Sequence, residues 1–265
     1  MLKLNDKVAI VTGGGRGNGR GVAMALADHG AAVMVCDINE ENAKNVAEEI
    51  CNAGGRAVAA FCDVTDPASV EDMVKATVDA FGPVTTLINN AGVIYWKSFF
   101  EQTLEEFQRE VRINLESVFI VTKAVVKSML EHGVKAGSVV NFSSEAVSSS
   151  FPEGIGYSAS KGGVQAITLA LAGYLAPYGI RVNSIAPGPT PTGMNTFMHE
   201  AADQIGKTIP MGRCGDPYND HGRICCFLAS DEYSGWITAE NVLVDGGKVK
   251  IPAVYNPSEA PVFHT

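Results

Sequence analysis

Tyr157 and Lys161 stand four residues apart, with Tyr157 thirteen residues beyond Ser144, in a stretch that closes Y-S-A-S-K. Residues at i and i+4 share one helix face, so the spacing predicts the Lys161 ammonium beside the Tyr157 phenol. A free tyrosine, with a pKa near 10, is a poor base at neutral pH. Lowering it to about 7.5 requires roughly 3.4 kcal/mol. A cation about 5 Å away at an effective dielectric near 20 supplies roughly that much. The pair thus reads as an acid/base couple; the plainer reading is a solvated face of an amphipathic helix. Ser144 ends the run S-V-V-N-F-S and would present a hydroxyl to a substrate oxygen. Its plainer role is a strand-to-loop hydrogen bond, and Ser143 is a rival.

A second chemistry-bearing segment lies near the start. Residues 7–12 (K-V-A-I-V-T) read as a buried strand, followed by G-G-G-R-G-N-G and then a helical pattern through Val22, Ala23, Leu26 and Ala27. Gly13, Gly17 and Gly19 allow a tight turn, close approach to a pyrophosphate, and packing of the helix on the sheet. The helix N-terminus then faces the phosphates. The spacing is T-G-x-x-x-G-x-G rather than G-x-G-x-x-G; between a strand and a helix it still predicts a dinucleotide loop. Asp37 follows the next apolar run, A-V-M-V-C. A carboxylate there accepts from ribose hydroxyls and repels a 2′-phosphate, which favours NAD over NADP. Capping a helix near Glu40 is its alternative role. Arg16 could favour a phosphate, but Ile38 offers no second cation.

In order, the motifs T-G-G-G-R-G-N-G, Asp37, Asp63-Val64, N-N-A-G ending in Asn90, Ala91 and Gly92, Asn114, Ser144, Tyr157 with Lys161, Pro187-Gly188 and V-D-G-G at 244–247 resemble the short-chain dehydrogenase/reductase family. The resemblance is to its compact single-domain branch and covers about residues 4–247. It implies a three-layer, doubly wound α/β (Rossmann) fold with a parallel sheet, and NAD(H)-dependent interconversion of a secondary alcohol and a ketone. The family's Ser-to-Tyr separation selects Ser144. Tyr157 would exchange the hydroxyl proton as hydride moves to or from the nicotinamide, with Ser144 stabilising the oxyanion. Lys161 would lower the Tyr157 pKa and bind the nicotinamide ribose. The matching asparagine, Asn114, would bend its helix and hold a water linked to the lysine. Asn90 and Gly92 would shape the turn beside the cofactor. Asp63 would contact the adenine edge, although a helix cap before Pro67 competes. Thr190 and Thr192, after Pro187-Gly188, complete the expected cofactor contacts.

Composition agrees. The chain has 265 residues, 46% of them hydrophobic, enough for one substantial core. Apolar runs at 8–11, 32–36, 57–61, 86–88, 139–142, 181–186 and 242–244 alternate with helical patterns, predicting a parallel sheet covered on both faces. No linker or repeat marks a boundary, so residues 1–265 read as one domain, with 189–212 as a substrate loop and 248–265 as a C-terminal tail. A net charge of −9 excludes the basic stripe of a nucleic-acid binder. The start M-L-K-L-N-D-K has no apolar signal region, and the longest apolar stretch, 164–175, is too short to span a bilayer. Six cysteines without a C-x-x-C and five scattered histidines predict reduced thiols, no metal and a cytoplasmic protein.

The pattern also departs from the family. Asn18 stands where an apolar residue is usual, a polar group beneath the nicotinamide. Ala239 replaces glycine in I-T-G. The tail carries apolar anchors, among them Ile251 and Tyr255, suited to docking on a neighbouring subunit. Helical stretches at 116–131 and 158–177 carry more apolar surface than one sheet face covers; in the resembling family they pair across subunits. A homotetramer is expected, with a dimer as fallback. For the substrate, Tyr95, Trp96, Phe99 and Phe100 follow the fourth strand and Phe151 precedes Tyr157. The 189–211 loop adds Met194, Phe197, Met198 and Ile205. Together they suggest a wide apolar pocket suited to a rigid polycyclic alcohol of hydroxysteroid or bile-acid type, although each alone could be core or interface packing. Glu145, Glu153 or His199 would reach a second polar group. The alternatives are a 3-oxoacyl-carrier-protein reductase, a polyol or small-alcohol dehydrogenase, and a non-enzymatic NAD-sensing regulator. The last would be expected to lose Tyr157 or Lys161, and both are present.

Overall fold

A computed structural model of the chain describes residues 2–192 and 197–251. The seven apolar runs become strands: β1 (Val8–Thr12), β2 (Ala32–Asp37), β3 (Arg56–Phe61), β4 (Thr86–Asn89), β5 (Gly137–Phe142), β6 (Ile180–Pro187) and β7 (Asn241–Val244). β-branched residues suit a pleated surface buried on both sides, and helical segments long enough to cross over separate the strands. The strands lie in one parallel sheet of order β3-β2-β1-β4-β5-β6-β7. The chain first winds outward to β3, then returns beside β1 and winds the other way. The reversal leaves a crevice at the strand C-termini between β1 and β4, where ligands of such sheets bind.

Strand alternation divides the core in two. Ala9, Val11, Val33 and Val35 point to one face, under α1 (Gly17–Asp28) and α2 (Glu40–Asn52). Ile10, Met34, Leu87 and Val139 point to the other, under α3 (Pro67–Phe81) and two later helices. Those are α4 (Leu104–Val111), running on into α5 (Ser117–Glu131), and α6 (Ile155–Leu175). α7 (Phe197–Gly206), α8 (Arg223–Ala229) and α9 (Asp231–Ser234) complete the helices among the described residues. The result is a single three-layer domain, as expected.

Helix ends remove the capping alternative at two positions. α2 is capped by Asn39, whose side chain accepts from the Asn42 amide, and α3 by Asp66, which accepts from Ala68. Asp37 and Asp63 are therefore not the caps. The junction of α4 and α5 is a wide, π-type turn over Arg112–Glu116, with Asn114 inside it. One extra residue per turn displaces the helix locally, which is the bend expected at Asn114. Ala239 is the one non-glycine residue with positive φ, at 68°, among those described. A Cβ there costs about 1–2 kcal/mol, so this departure from glycine is a strained one. Of the tail, residues 252–265 lie outside the described residues. Lys248, at its start, is ion-paired to Glu145 at 2.7 Å.

Candidate active site

The glycine loop leaves β1 through Gly13, whose φ of 60° suits glycine. A Cβ on Gly19 would lie 2.1 Å from the Gly13 carbonyl oxygen and 2.5 Å from Asn90 Nδ2, so only hydrogen fits. Asn90 closes the opposite side: its Nδ2 donates to the carbonyls of Thr12 (2.9 Å) and Gly13 (3.0 Å). The Asn90 and Ala91 amides both donate to Thr12 Oγ1. Asn90 thus ties the end of β4 to the loop. Asp37 Oδ2 accepts from the Gly15 amide (3.0 Å) and Oδ1 from Asn39, which fixes the carboxylate at the end of β2. Asp63 Oδ1 accepts from both the amide and the hydroxyl of Thr65. Thr190 donates from Oγ1 to the Gly188 carbonyl.

These residues line one cleft of about 1340 Å³. At its end over β2 and β3 stand Asp37, Ile38, Asp63 and Val64; along its floor run Gly13, Arg16, Gly17, Asn18 and Ala91. Pro187, Gly188, Thr190 and Thr192 form the far wall. Gly19 packs beneath, against Gly13 and Asn90. Gly-loop, carboxylate and helix N-terminus together match the shape and donors of a dinucleotide. Among the described residues no cluster of His, Cys, Asp and Glu suits a metal, and no helix is long and apolar enough to cross a membrane.

Ser144, Tyr157 and Lys161 meet in the middle of the cleft. The Ser144 hydroxyl hydrogen-bonds the Tyr157 phenol and accepts from the Ala146 amide at 3.1 Å. Its rival Ser143 is committed elsewhere: its hydroxyl donates to the Lys161 carbonyl and accepts from Gln165. Lys161 is 4% exposed, its Nζ donating to the Phe142 carbonyl at 2.7 Å and lying 5.7 Å from the Tyr157 ring centroid. Asn114 accepts from the Val93 amide and donates to the Val93 carbonyl and Ser160 Oγ. Both amide hydrogens are thereby used, while Oδ1 keeps one acceptor position.

The electrostatics correct one expectation. The protein's own groups do not depress the Tyr157 pKa. Burial raises it; the Ser144 hydrogen bond opposes this, and the charges of Glu145 and Glu110 add to the rise. Burial also lowers Lys161 to about 8. The spacing placed the cation correctly but carried no information on desolvation, which works against both charged forms.

The expected substrate residues divide. Trp96, Glu145, Phe151 and Met198 line the cleft, as does Ile205. Trp96 meets Phe151 edge to face (5.1 Å between centroids), and Phe151 in turn meets Tyr157 (6.3 Å). Tyr95, Glu153 and His199 do not line it. Tyr95 instead gives its amide to Glu110, and Phe99 and Phe100 are exposed. Met194 and the side chain of Phe197 lie outside the described residues.

Two residues escaped the sequence reading. Glu110 is fully buried, bonded to the Tyr95 amide and Gln102, and ties the Trp96 loop to α4. His221 is buried in a second π-type turn, Pro217–Gly222, beside Asn18. The signal for Glu110 was its place on the helix face it shares with Phe107 and Asn114. His221 gave none.

Comparison with known proteins agrees with this geometry. A family model described as enoyl-(acyl carrier protein) reductase matches residues 13–248. The chain is 39% identical to the 2,5-dichloro-2,5-cyclohexadiene-1,4-diol dehydrogenase of Sphingobium indicum, over 92% of this chain and 97% of that protein. It is 38% identical to the 3-oxoacyl-[acyl-carrier-protein] reductase of a Synechocystis species, over 94% and 99%. Actinorhodin polyketide ketoreductase, solved with NADPH, superimposes with a TM-score of 0.86 at 34% identity, covering 94% of this chain and 100% of that one.

Proposed function

The chain belongs to the short-chain dehydrogenase/reductase family, and from that premise we propose that it interconverts a ring-borne secondary alcohol and its ketone with NAD(H), a hydroxysteroid or bile-acid type alcohol being preferred. The observation that carries this reading is the aromatic wall of Trp96 and Phe151 running directly into Tyr157. An aromatic, apolar wall beside the reacting group suits a rigid ring better than a sugar. The relative that acts on a cyclohexadiene diol supports a ring substrate.

When bound, the nicotinamide supplies the hydride acceptor or donor and, in its oxidised form, a positive charge. Everything else falls to the chain. Tyr157 takes the hydroxyl proton during oxidation and returns it during reduction. Ser144 donates to the substrate oxygen as charge develops there. Lys161 holds the nicotinamide ribose and offsets the charge on Tyr157. Asn114 keeps the Val93 segment and the Ser160 turn of α6 in register beside them. Asp37 receives the adenosine ribose hydroxyls and disfavours a 2′-phosphate, which supports NAD(H).

A second reading is reduction of a 3-oxoacyl thioester with NADPH, favoured by the Synechocystis relative and the NADPH in the ketoreductase structure. Asp37 and the net charge of −9 oppose it, since an acidic carrier protein needs a basic docking face. Rates with a bile-acid alcohol, a cyclohexanediol, a polyol, a short alcohol and a 3-oxoacyl thioester, each with both cofactors, separate the readings. The ring alcohols with NAD+ are expected to give the highest kcat/KM. Preference for polyols or short alcohols overturns the pocket reading, and preference for the thioester with NADPH establishes the second.

The assembly proposed is a homotetramer. Leu115, Phe119, Ile120, Ala166, Ile167 and Ala170 line a shallow apolar groove between α5 and α6, with Phe119 and Leu169 exposed. Light scattering at micromolar concentration is expected to give four times the chain mass; a monomer refutes the assignment.

A further inference from the structure

Asn18 occupies the second position of α1, and its Oδ1 lies 3.1 Å from His221 Nδ1. His221 is 0% exposed, held in the Pro217–Gly222 turn that leads into α8. Burial lowers its pKa to about 4, so the imidazole is neutral near pH 7 and carries one N–H. Asn18 Oδ1 can only accept, so the N–H that serves this bond is on Nδ1; the ring also lies against the Val244 backbone carbonyl, and Nε2 is buried without a hydrogen bond of ordinary geometry among the described residues. The contact between Oδ1 and Nδ1 sets which way the Asn18 amide faces. Its NH2 is turned from His221, and among the described residues no protein acceptor takes it. Asn18 is part-exposed and lines the cleft with Gly17 and Thr192.

The position selects one half of the dinucleotide. A Cβ on Gly215 would lie 2.8 Å from Thr190 Oγ1 and 3.3 Å from His221 Nε2, so His221 stands behind the segment that follows β6. That segment is across the cleft from Asp37, on the side of Ser144 and Tyr157. We infer that Asn18 Nδ2 donates a hydrogen bond to an acceptor in the nicotinamide half of the cofactor, and that His221 is the positioning residue that turns the amide toward it. The inference rests on the dinucleotide reading of the cleft. It gives a use to the polar residue at position 18 and to the π-type turn, since one added residue per turn is what brings an imidazole from α8's approach under α1.

Calorimetric binding of NAD+ and of ADP, which lacks the nicotinamide half, tests it. Asn18→Ile is expected to weaken NAD+ roughly tenfold, one hydrogen bond's worth, and to leave ADP unchanged. Asn18→Asp, which offers only acceptors, should weaken NAD+ at least as much. His221→Phe should reproduce part of the loss, His221→Gln should recover it, and the Asn18→Ile/His221→Phe double variant should bind no more weakly than Asn18→Ile alone. Melting temperatures identify any variant that fails to fold; if His221→Phe is one, the two Asn18 variants with His221 intact decide. Unchanged NAD+ affinity in Asn18→Ile overturns the inference, as does an equal loss for ADP. A wild-type protein that binds neither NAD+ nor NADP+ overturns the cofactor reading itself.

Discussion

Tyr157→Phe leaves NAD+ affinity near the wild-type value and lowers kcat by about 10³-fold, the scale of a lost general acid–base group. The substitution keeps the ring that packs against Phe151 and removes only the oxygen bonded to Ser144. Binding surface is preserved while proton transfer is not. The same residue sets the pH response. Burial, Glu145 and Glu110 hold the phenol above its ordinary value, so the reactive phenolate gains population only as pH rises. Alcohol oxidation should therefore accelerate with pH and ketone reduction should favour the lower side, where the phenol keeps its proton. Stopped-flow rates in both directions, from pH 6 to 9.5, check this. Near-native kcat in Tyr157→Phe would require another base.

Lys161→Ala is expected to damage both binding and turnover, weakening NAD+ about tenfold and lowering kcat by roughly 10²-fold. The ammonium is buried, donates to the Phe142 carbonyl at 2.7 Å, and lies between the glycine-92 turn and the tyrosine ring. Its removal leaves a buried carbonyl without its donor and the phenolate without its nearest cation. Burial sets the Lys161 pKa near 8, so the cation is present below that pH and lost above it. The rise in oxidation rate should consequently flatten above about pH 8 in the wild type and show no such break in Lys161→Met. A variant that changes kcat alone, with NAD+ affinity intact, would remove Lys161 from the cofactor site.

The sheet and the order of its motifs were legible because they are local. Each strand is a short β-branched run, and each chemical residue lies at or just beyond a strand end. Spacing placed Tyr157 beside Lys161 because helical geometry is fixed. Contacts between elements distant in sequence were not legible. Glu110 meets Tyr95 and Gln102, and His221 meets Asn18 across two hundred residues. The polar ladder from Asn89 through Asn141 to Thr168 lies inside what reads as apolar sheet. Neither π-type turn shows in the hydrophobic period, because one inserted residue shifts a helix without breaking its pattern. Asp37 and Asp63 each had two readings that sequence could not separate; the caps at Asn39 and Asp66 remove the capping reading of each. Ala239 was legible as a departure, but its cost required the backbone angle.

The cleft draws its walls from the ends of β1, β2, β3, β4, β5 and β6, joined by parallel pairings that each span a whole crossover. No hairpin or contiguous segment contains even the catalytic pair and the glycine loop together. Such a topology has high contact order, and parallel pairing across long loops forms slowly. Partly folded chains can therefore hold native helices and even half the sheet while possessing no site at all. Recovery of activity after denaturation reports on closure of the sheet between β1 and β4, where its two halves meet.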